Sequence, residues 1–347
     1  MQNKASLLCM TKFISHSCAR ATAILLAAVI IGGCQRSPDW EADVSMISLE
    51  KVQIRRFDLL LAETDPDQFY ARIKPHYEEF RLFLGENFHD HHTHQPFIDF
   101  LNNPLSRQLL SDTKKRLPDL KKEEAKLSEA LRFYRAHFPE DEIPGFFGFI
   151  SSLDYQHPVV LTQGNLVIGL DLFLGTDYPV YEQAGIPAYF RARMEAEYLP
   201  AEVFREIGRL HLGKSGIVPQ SLLEHMIHEG KLLYFLDCML PREPDFLKMS
   251  YTRPQMEWMQ RHEGFAWRYL INNDLLFEND WPLIRRFTGE APFTTAFDRE
   301  SSPRSASYLG WQIVRSYMKN NPDKSLEDLL QTENARLILE KSGYRGR

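Results

Sequence analysis

Apolar and polar positions follow one another along this chain with periods that change several times. Lys4, Lys12 and Arg20 precede the unbroken apolar run AILLAAVII, Ala23 to Ile31. That run is too short for a stable membrane-spanning helix and has the basic start and apolar core of a secretory signal. VQIRRFDLLL, Val52 to Leu61, has mixed alternation and predicts a strand. Asp65-Pro66 is a helix-start signal, and a broken helical region is expected to about Leu84, interrupted at Pro75. From Pro118 to Phe138 the residues Leu120, Leu127, Leu131, Tyr134 and Phe138 recur at helical spacing, which predicts a surface helix burying one stripe. The period shortens at PGFFGFISS and again in PVVLTQGNLVIGLDLFLG, Pro158 to Gly175. There Gln163-Gly164-Asn165, between two apolar runs, predicts a hairpin in a small antiparallel or mixed sheet of about three or four strands. From Ala188 onward the pattern is helical, with breaks expected at Pro200, Pro219, Pro241 and Pro282. The order of elements predicts an α+β, predominantly helical fold, with one domain over 48–347.

Composition adds a compartment to this outline. With 44% hydrophobic and 25% charged residues the chain is globular, and a net charge of -6 gives no basic field for phosphates, so nucleic acid is not an expected partner. The apolar run ends in Ile31-Gly32-Gly33-Cys34, which resembles the lipobox of bacterial lipoproteins. By that resemblance residues 1–33 are a signal peptide, Cys34 is lipidated, and 34–47 is a tether to the membrane. Gln35 stands where an Asp would resemble an inner-membrane retention signal, which favours the outer membrane, with the body facing the periplasm. No other run reaches the ~20 apolar residues of a membrane helix, so the acyl chains are the expected anchor. Cys9 and Cys18 leave with the signal and Cys34 carries lipid, so Cys238 alone remains and no internal disulfide is expected.

The candidate chemistry lies in LLEHMIHEGKLLYF, Leu222 to Phe235. On a helix turning ~100° per residue, Leu223, Met226, Leu233 and Tyr234 share one stripe, while Glu224, His225, His228 and Lys231 collect on the other side. Leu232 and Phe235 fall within that polar side, which reads as a cleft lining. His228-Glu229 resembles the opening of the H-E-x-x-H helix of zinc peptidases, where two His one turn apart hold Zn²⁺ and the Glu is general base. Glu263, in HEGFAWRYL, resembles the E-G-x-A run that supplies a third ligand in one branch of those enzymes. The second His position is Leu232, which has no lone pair, and Lys231 beside it adds a positive charge. Three readings stand: a degenerate, non-catalytic zincin-like site, an ordinary structural helix, or a metal site in which His225 joins His228, Glu229 and Glu263. No cofactor is expected, and zinc is the one possibility. His89, His91, His92 and His94 are packed into FHDHHTHQP and predict a solvated surface loop, because neighbouring loop histidines do not converge on one ion without partners.

Several stretches together resemble the gliding motility-associated lipoprotein GldB family: the lipobox, IGLDLFLGTDYPVY, HEGKLLYFLDCMLP, the aromatic segment around Trp267, and YLGWQIVRSYMKNNPDKSLEDLL. The family itself resembles predicted zincin-like zinc peptidases. The resemblance implies a zincin-like scaffold in an envelope lipoprotein required for gliding motility, whose partners are other envelope or gliding-machinery proteins. The alternatives are an active zinc metallopeptidase and a periplasmic lipoprotein that binds peptide or glycan. The chain departs from the family pattern at SPRSAS, just before Tyr308, where a glycine-containing approach is expected. Leu309, Ile313, Val314 and Tyr317 recur at helical spacing beside Trp311 as core contacts, and Ser325 with Asp328 resembles a capping box.

Overall fold

A computed structural model describes residues 40–346. The signal peptide, Cys34 and the first part of the tether lie outside the described residues. Strand β1 (Ile54–Arg56) is followed at once by helix α1 (Phe57–Ala62), so the predicted strand over Val52 to Leu61 is half helix. Phe57, Leu60 and Leu61 are buried at i, i+3 and i+4, a helical spacing. Arg56 folds back on the buried Asp58 through two hydrogen bonds of 2.8 Å and donates to the Leu117 carbonyl, which fixes the turn. Short helical segments at Pro66–Gln68, Phe69–Ile73, Lys74–His76 and Tyr77–Leu84 form the expected broken region, and helices α2 (Gln95–Asn102), α3 (Pro104–Arg116) and α4 (Lys121–His137), the predicted surface helix, come after it.

Strands β2 (Gly145–Phe149), β3 (Val159–Thr162) and β4 (Asn165–Gly169) complete a four-stranded mixed sheet in the order β1-β2-β4-β3. β1 with β2 and β2 with β4 are parallel, and β3 with β4 is the predicted antiparallel hairpin. Its two-residue loop places Gln163 at φ 46° and Gly164 at φ 72°, both left-handed, as a hairpin following the right-handed strand twist requires.

The remaining long elements are α5 (Leu199–Lys214), α6 (Leu222–Met239), the short α7 (Asp245–Lys248), α8 (Arg253–Asn272), α9 (Trp281–Thr288), α10 (Ser305–Asn320), α11 (Leu326–Gln331) and α12 (Ala335–Ser342). Pro200 and Pro282 sit in the first turns of α5 and α9, where the missing N–H costs nothing, so they begin helices that were expected to break there. Capping boxes start α6 at Ser221 and Glu224, α8 at Thr252 and Gln255, and α11 at Ser325 and Asp328, the last as predicted. No helix among the described residues is long and apolar enough to cross a membrane.

The core is organised by the contact of α6 with α10. Gly230 and Gly310 let the two backbones touch: a Cβ at Gly310 would overlap the Met226 carbonyl, and one at Gly230 would overlap the Gly310 carbonyl. That approach brings the fully buried Asp237 of α6 to Trp311 Nε1 at 2.8 Å and to Arg315 at 2.7 Å through both carboxylate oxygens. Lys248 of α7 donates to the same carboxylate at 2.9 Å, and Arg315 also holds Asp245. Two acids and two bases thus form a neutral buried cluster whose polar atoms are paired, the condition under which buried charge is tolerated. Burial drives the Asp245 carboxyl upward, but hydrogen bonding and attraction from Arg315 and Lys248 bring it below its ordinary value.

The stretch from Trp40 to Ile47, expected to be tether, packs on this centre. The Trp40 ring lies 4.6 Å from the Arg315 guanidinium and 6.5 Å from the Tyr234 ring, Glu41 pairs with Arg242 at 2.8 Å, and Arg132 donates to the Val44 and Ile47 carbonyls. In the histidine-rich stretch, His89, His91 and His92 are exposed as expected, but His94 is buried. It bonds the Phe88 carbonyl at 2.6 Å and stacks on Tyr70, because the aromatic rings around it exclude water.

Two outcomes follow from this packing. Gly310→Ala is expected to lower stability by about 3 kcal/mol or more in denaturant unfolding, since neither helix backbone can give way. Gly213→Ala, at an open position of α5, should raise it by roughly 0.5–1 kcal/mol. The second concerns His211, whose Nε2 is 3.0 Å from Tyr134 Oη and whose ring stacks on Phe138 at 4.1 Å. Burial brings it from 6.5 to about 4, with Lys214 adding to the shift and Asp141 opposing it. Below pH 6.5 the unfolded chain takes up the proton and the native protein does not. Stability is therefore expected to fall between pH 6.5 and 4 by up to roughly 3 kcal/mol, and His211→Phe should remove that component from the pH dependence of the unfolding midpoint.

Candidate functional site

The polar side expected of helix α6 lines a cavity through Glu224, His228 and Lys231, but Leu232 and Phe235 do not share it. From Gly230 to Met239 every residue is buried, Leu232 and Phe235 included, because α5 packs on that face: a Cβ at Gly208 of α5 would meet Leu232 at 2.7 Å and Phe235 at 2.9 Å. At these two residues the expected cleft lining is a helix–helix contact. Glu224 belongs to the cap, accepting the backbone N–H groups of Gln220 and Ser221.

Of the four candidate ligands, His225, His228 and Glu229 lie within electrostatic reach of one another on α6, and Glu263 is held by other partners on α8. His225 faces the ring of Trp281 on α9, 5.6 Å away. His228 lines a cavity of about 310 Å³ together with Ile217, Lys231 and Glu333. Burial lowers both imidazoles, in each case against the pull of Glu229. Glu263 on α8 is buried and accepts hydrogen bonds from Tyr344 at 2.8 Å and Tyr308 at 3.3 Å. Its oxygens are occupied by phenols, and burial followed by the Glu263 charge raises the Tyr308 hydroxyl. Lys231 donates to the Leu330 carbonyl at 3.3 Å and to Thr332, tying α6 to the end of α11, and burial brings its ammonium to about 8. Among the described residues no group of three or more His, Cys, Asp or Glu side chains is arranged to hold a metal ion. The third ligand that the zinc resemblance asks for, Glu263, has its oxygens taken by the Tyr344 and Tyr308 hydroxyls. Cys238 is buried, and burial followed by the Asp237 charge pushes its thiol well above the ordinary value.

A different constellation is gathered on the other side of α5. Arg193, Arg205, Arg209, Arg285 and Arg304 line one cavity of about 440 Å³. Arg205 donates to the Lys248 carbonyl and to Ser250 Oγ at 2.9 Å, and Arg193 donates to Glu290 at 2.8 Å. Burial lowers the Arg205 guanidinium, Glu202 opposes the shift, and repulsion from Arg304 and Arg209 adds to it. Burial would raise Glu202 and Glu290, but the guanidinium groups around them bring both below their ordinary range. Arg304 and Ser250 both hold left-handed backbone conformations, at φ 47° and 50°. For a residue with a side chain that strain costs about 1–2 kcal/mol and persists only where the surroundings enforce it. Here Arg304 donates to the Met249 and Ser250 carbonyls, and Thr294 bonds the Ser302 carbonyl at 2.7 Å. The SPRSAS segment, where a glycine-containing approach was expected, thus supplies the left-handed turn with an arginine.

Glu229 acts on this second constellation, since its charge is felt by both Arg205 and Arg304. The sequence held a signal for it. Arg205-Glu206-Ile207-Gly208-Arg209 places two like charges at i, i+4 on one helix face, each paired at i, i+3 with a carboxylate of the same helix, Arg205 with Glu202 at 3.4 Å and Arg209 with Glu206 at 3.1 Å. It also has the spacing of H-E-x-x-H, with guanidinium groups in place of the imidazoles.

Residues 37–346 match the family described as gliding motility protein GldB, whose label marks lipoproteins. No curated protein and no solved structure matches the chain. The two stretches that carry the family resemblance most specifically, around Gly230 and around Gly310, are the ones that touch through their glycines and through Asp237, Trp311 and Arg315.

Glu263 offers a direct measurement of whether its role is packing. Glu263→Ala is expected to destabilise by about 2–4 kcal/mol, as two buried phenols lose their acceptor, whereas Glu263→Gln, which keeps hydrogen-bonding capacity, should cost about 1 kcal/mol. Thermal and denaturant unfolding of the two variants check the order.

Proposed function

We propose, for a chain that belongs to the gliding motility protein GldB family, that the folded body takes part in gliding motility by binding, without metal catalysis. In this reading the protein is held to the cell envelope through lipid on Cys34, at the outer membrane facing the periplasm, and its partners are envelope or gliding-machinery proteins. The scaffold is zincin-like in origin, with the metal pole replaced by fixed organic cations.

One observation carries the reading: at the H-E-x-x-H spacing on α5 stand Arg205 and Arg209, both lining the arginine-rich cavity, and Glu229 follows on α6, the helix packed against α5. In a zincin-like arrangement that Glu corresponds to the downstream carboxylate, here followed by Gly230 as in the E-G run. A guanidinium offers only donors, carries its charge at every working pH and repels a dication, so the same framework that would present ligands to zinc presents charge to an anion. The occupied oxygens of Glu263 support the same conclusion, because catalytic zinc requires about three protein ligands on one point.

Metal analysis of the purified chain together with peptide hydrolysis assays tests this reading. Zinc far below stoichiometric and no chelator-sensitive cleavage are expected, with His228→Ala indistinguishable from the parent in both. Near-stoichiometric zinc that disappears in His228→Ala, or peptide cleavage that a chelator stops, would overturn it.

A further inference from the structure

The arginine-lined cavity has properties that its neighbours do not account for. Five guanidinium groups line it against three carboxylates, in a chain whose net charge is -6: Glu202 pairs with Arg205 at 3.4 Å, Glu206 with Arg209 at 3.1 Å, and Glu290 with Arg193 at 2.8 Å and Arg304 at 3.5 Å. Collecting cations in a partly dry concavity is unfavourable unless an anion shares it, and the fixed groups do not supply that anion in full. Arg304 is 8% exposed, yet its Nε has no hydrogen-bond acceptor, with Glu290 Oε1 standing 3.5 Å away. Arg285 is exposed and makes no side-chain hydrogen bond. The strained backbone at Ser250 and Arg304 lies on the same wall, and strain of that kind concentrates where a ligand is held.

The opposite wall is aromatic. Tyr155 and Tyr189 flank Phe190, with ring centroids 4.8 Å and 4.7 Å away, and all three rings are half-buried on the cavity. These rings are tilted against one another, with Arg193 4.9 Å over Phe190, and offer apolar edges and faces to a sugar ring, while Glu202 and Glu290 can accept from hydroxyl groups and the free guanidinium donors can engage an oxyanion in the bidentate manner that suits their geometry. The volume of about 440 Å³ lies in the range of small-molecule sites.

We infer that this cavity binds an anionic saccharide, a sugar ring bearing a phosphate or carboxylate, with the oxyanion on Arg209, Arg285 and Arg304 and the ring against Tyr155, Tyr189 and Phe190. This deepens the binding reading above and rests on it, naming the chemistry of what is bound. The two oxyanions share the same recognition and are separated by the test.

Calorimetric titration of the purified full chain, in detergent, with glucose 6-phosphate, glucuronate and glucose provides that test. Saturable binding of at least one of the two acidic sugars is expected, weakened by added salt, with no binding of glucose. The acidic sugar that binds identifies the oxyanion. Arg209→Gln and Arg285→Ala, both at exposed positions that leave the fold intact, should each weaken binding at least about tenfold, the loss of one charge-assisted hydrogen bond. The inference is overturned if neither acidic sugar binds saturably, if glucose binds as tightly as they do, if inorganic phosphate binds as tightly as glucose 6-phosphate, or if the double variant binds as the parent does. Each of these outcomes leaves zinc content and peptide hydrolysis untouched, so failure here is distinguishable from failure of the non-catalytic reading.

Discussion

Everything in the helical part of this molecule depends on two missing side chains. Gly230 and Gly310 bring α6 and α10 to backbone contact, and only at that distance does Asp237 reach the indole of Trp311 and the guanidinium of Arg315 together. The ion cluster cannot be understood as a stabilising ornament, because desolvating four charges costs about as much as their attraction returns. Its effect is selective. Removing any one partner leaves an unpaired buried charge, so the cluster admits one rotation and one register of α6 on α10 and penalises the rest. The residues that make the family recognisable in the sequence are thus the residues of a packing rule, which explains why they read as a motif without forming a site.

The same helix separates two environments. One face of α6 is committed to α10, and the face toward α5 is filled by Leu232 and Phe235 seated over Gly208. Little is left on which a set of ligands could converge, and His225 and His228 consequently look toward different neighbours, an indole and a water-accessible cavity. Glu229 acts on both imidazoles and, more weakly, on the arginines. The charge of the molecule is organised accordingly: carboxylates that might have held a cation are taken by phenols and guanidinium groups, and the cations themselves are collected around one concavity.

Much of the fold was legible along the chain because its signals are local. The Gln163-Gly164 turn, the stripe of α4 and the cap at Ser325 each depend on a few neighbouring residues, and each formed where the pattern placed it. The strand read over Val52 to Leu61 was half right, since alternation in ten residues does not reveal that Phe57, Leu60 and Leu61 share a helical face until the partner surface exists. The site was less legible, and for a physical reason. His228-Glu229 drew attention as a fragment of a metal motif, but a side chain's role follows from what packs opposite it, and α6 is surrounded by helices whose approach is set by glycines far away in sequence. Arg205 and Arg209 stand among carboxylates at ordinary ion-pair spacing, a weaker signal than a histidine, and the strained turn at Arg304 has no mark in the sequence other than the absence of an expected glycine.

The docking of Trp40 has a mechanical consequence. The chain enters the folded body at its centre, with the indole lying over Arg315 and the following residues fastened by Arg242, Arg132 and Arg135. A pull applied along the N-terminal segment would be carried straight to the ionic junction of α6, α7 and α10, where several bonds must break together, and no outer strand could peel away first. With the anchor at Cys34 proposed above, such an attachment would carry tension into the ion cluster of α6, α7 and α10.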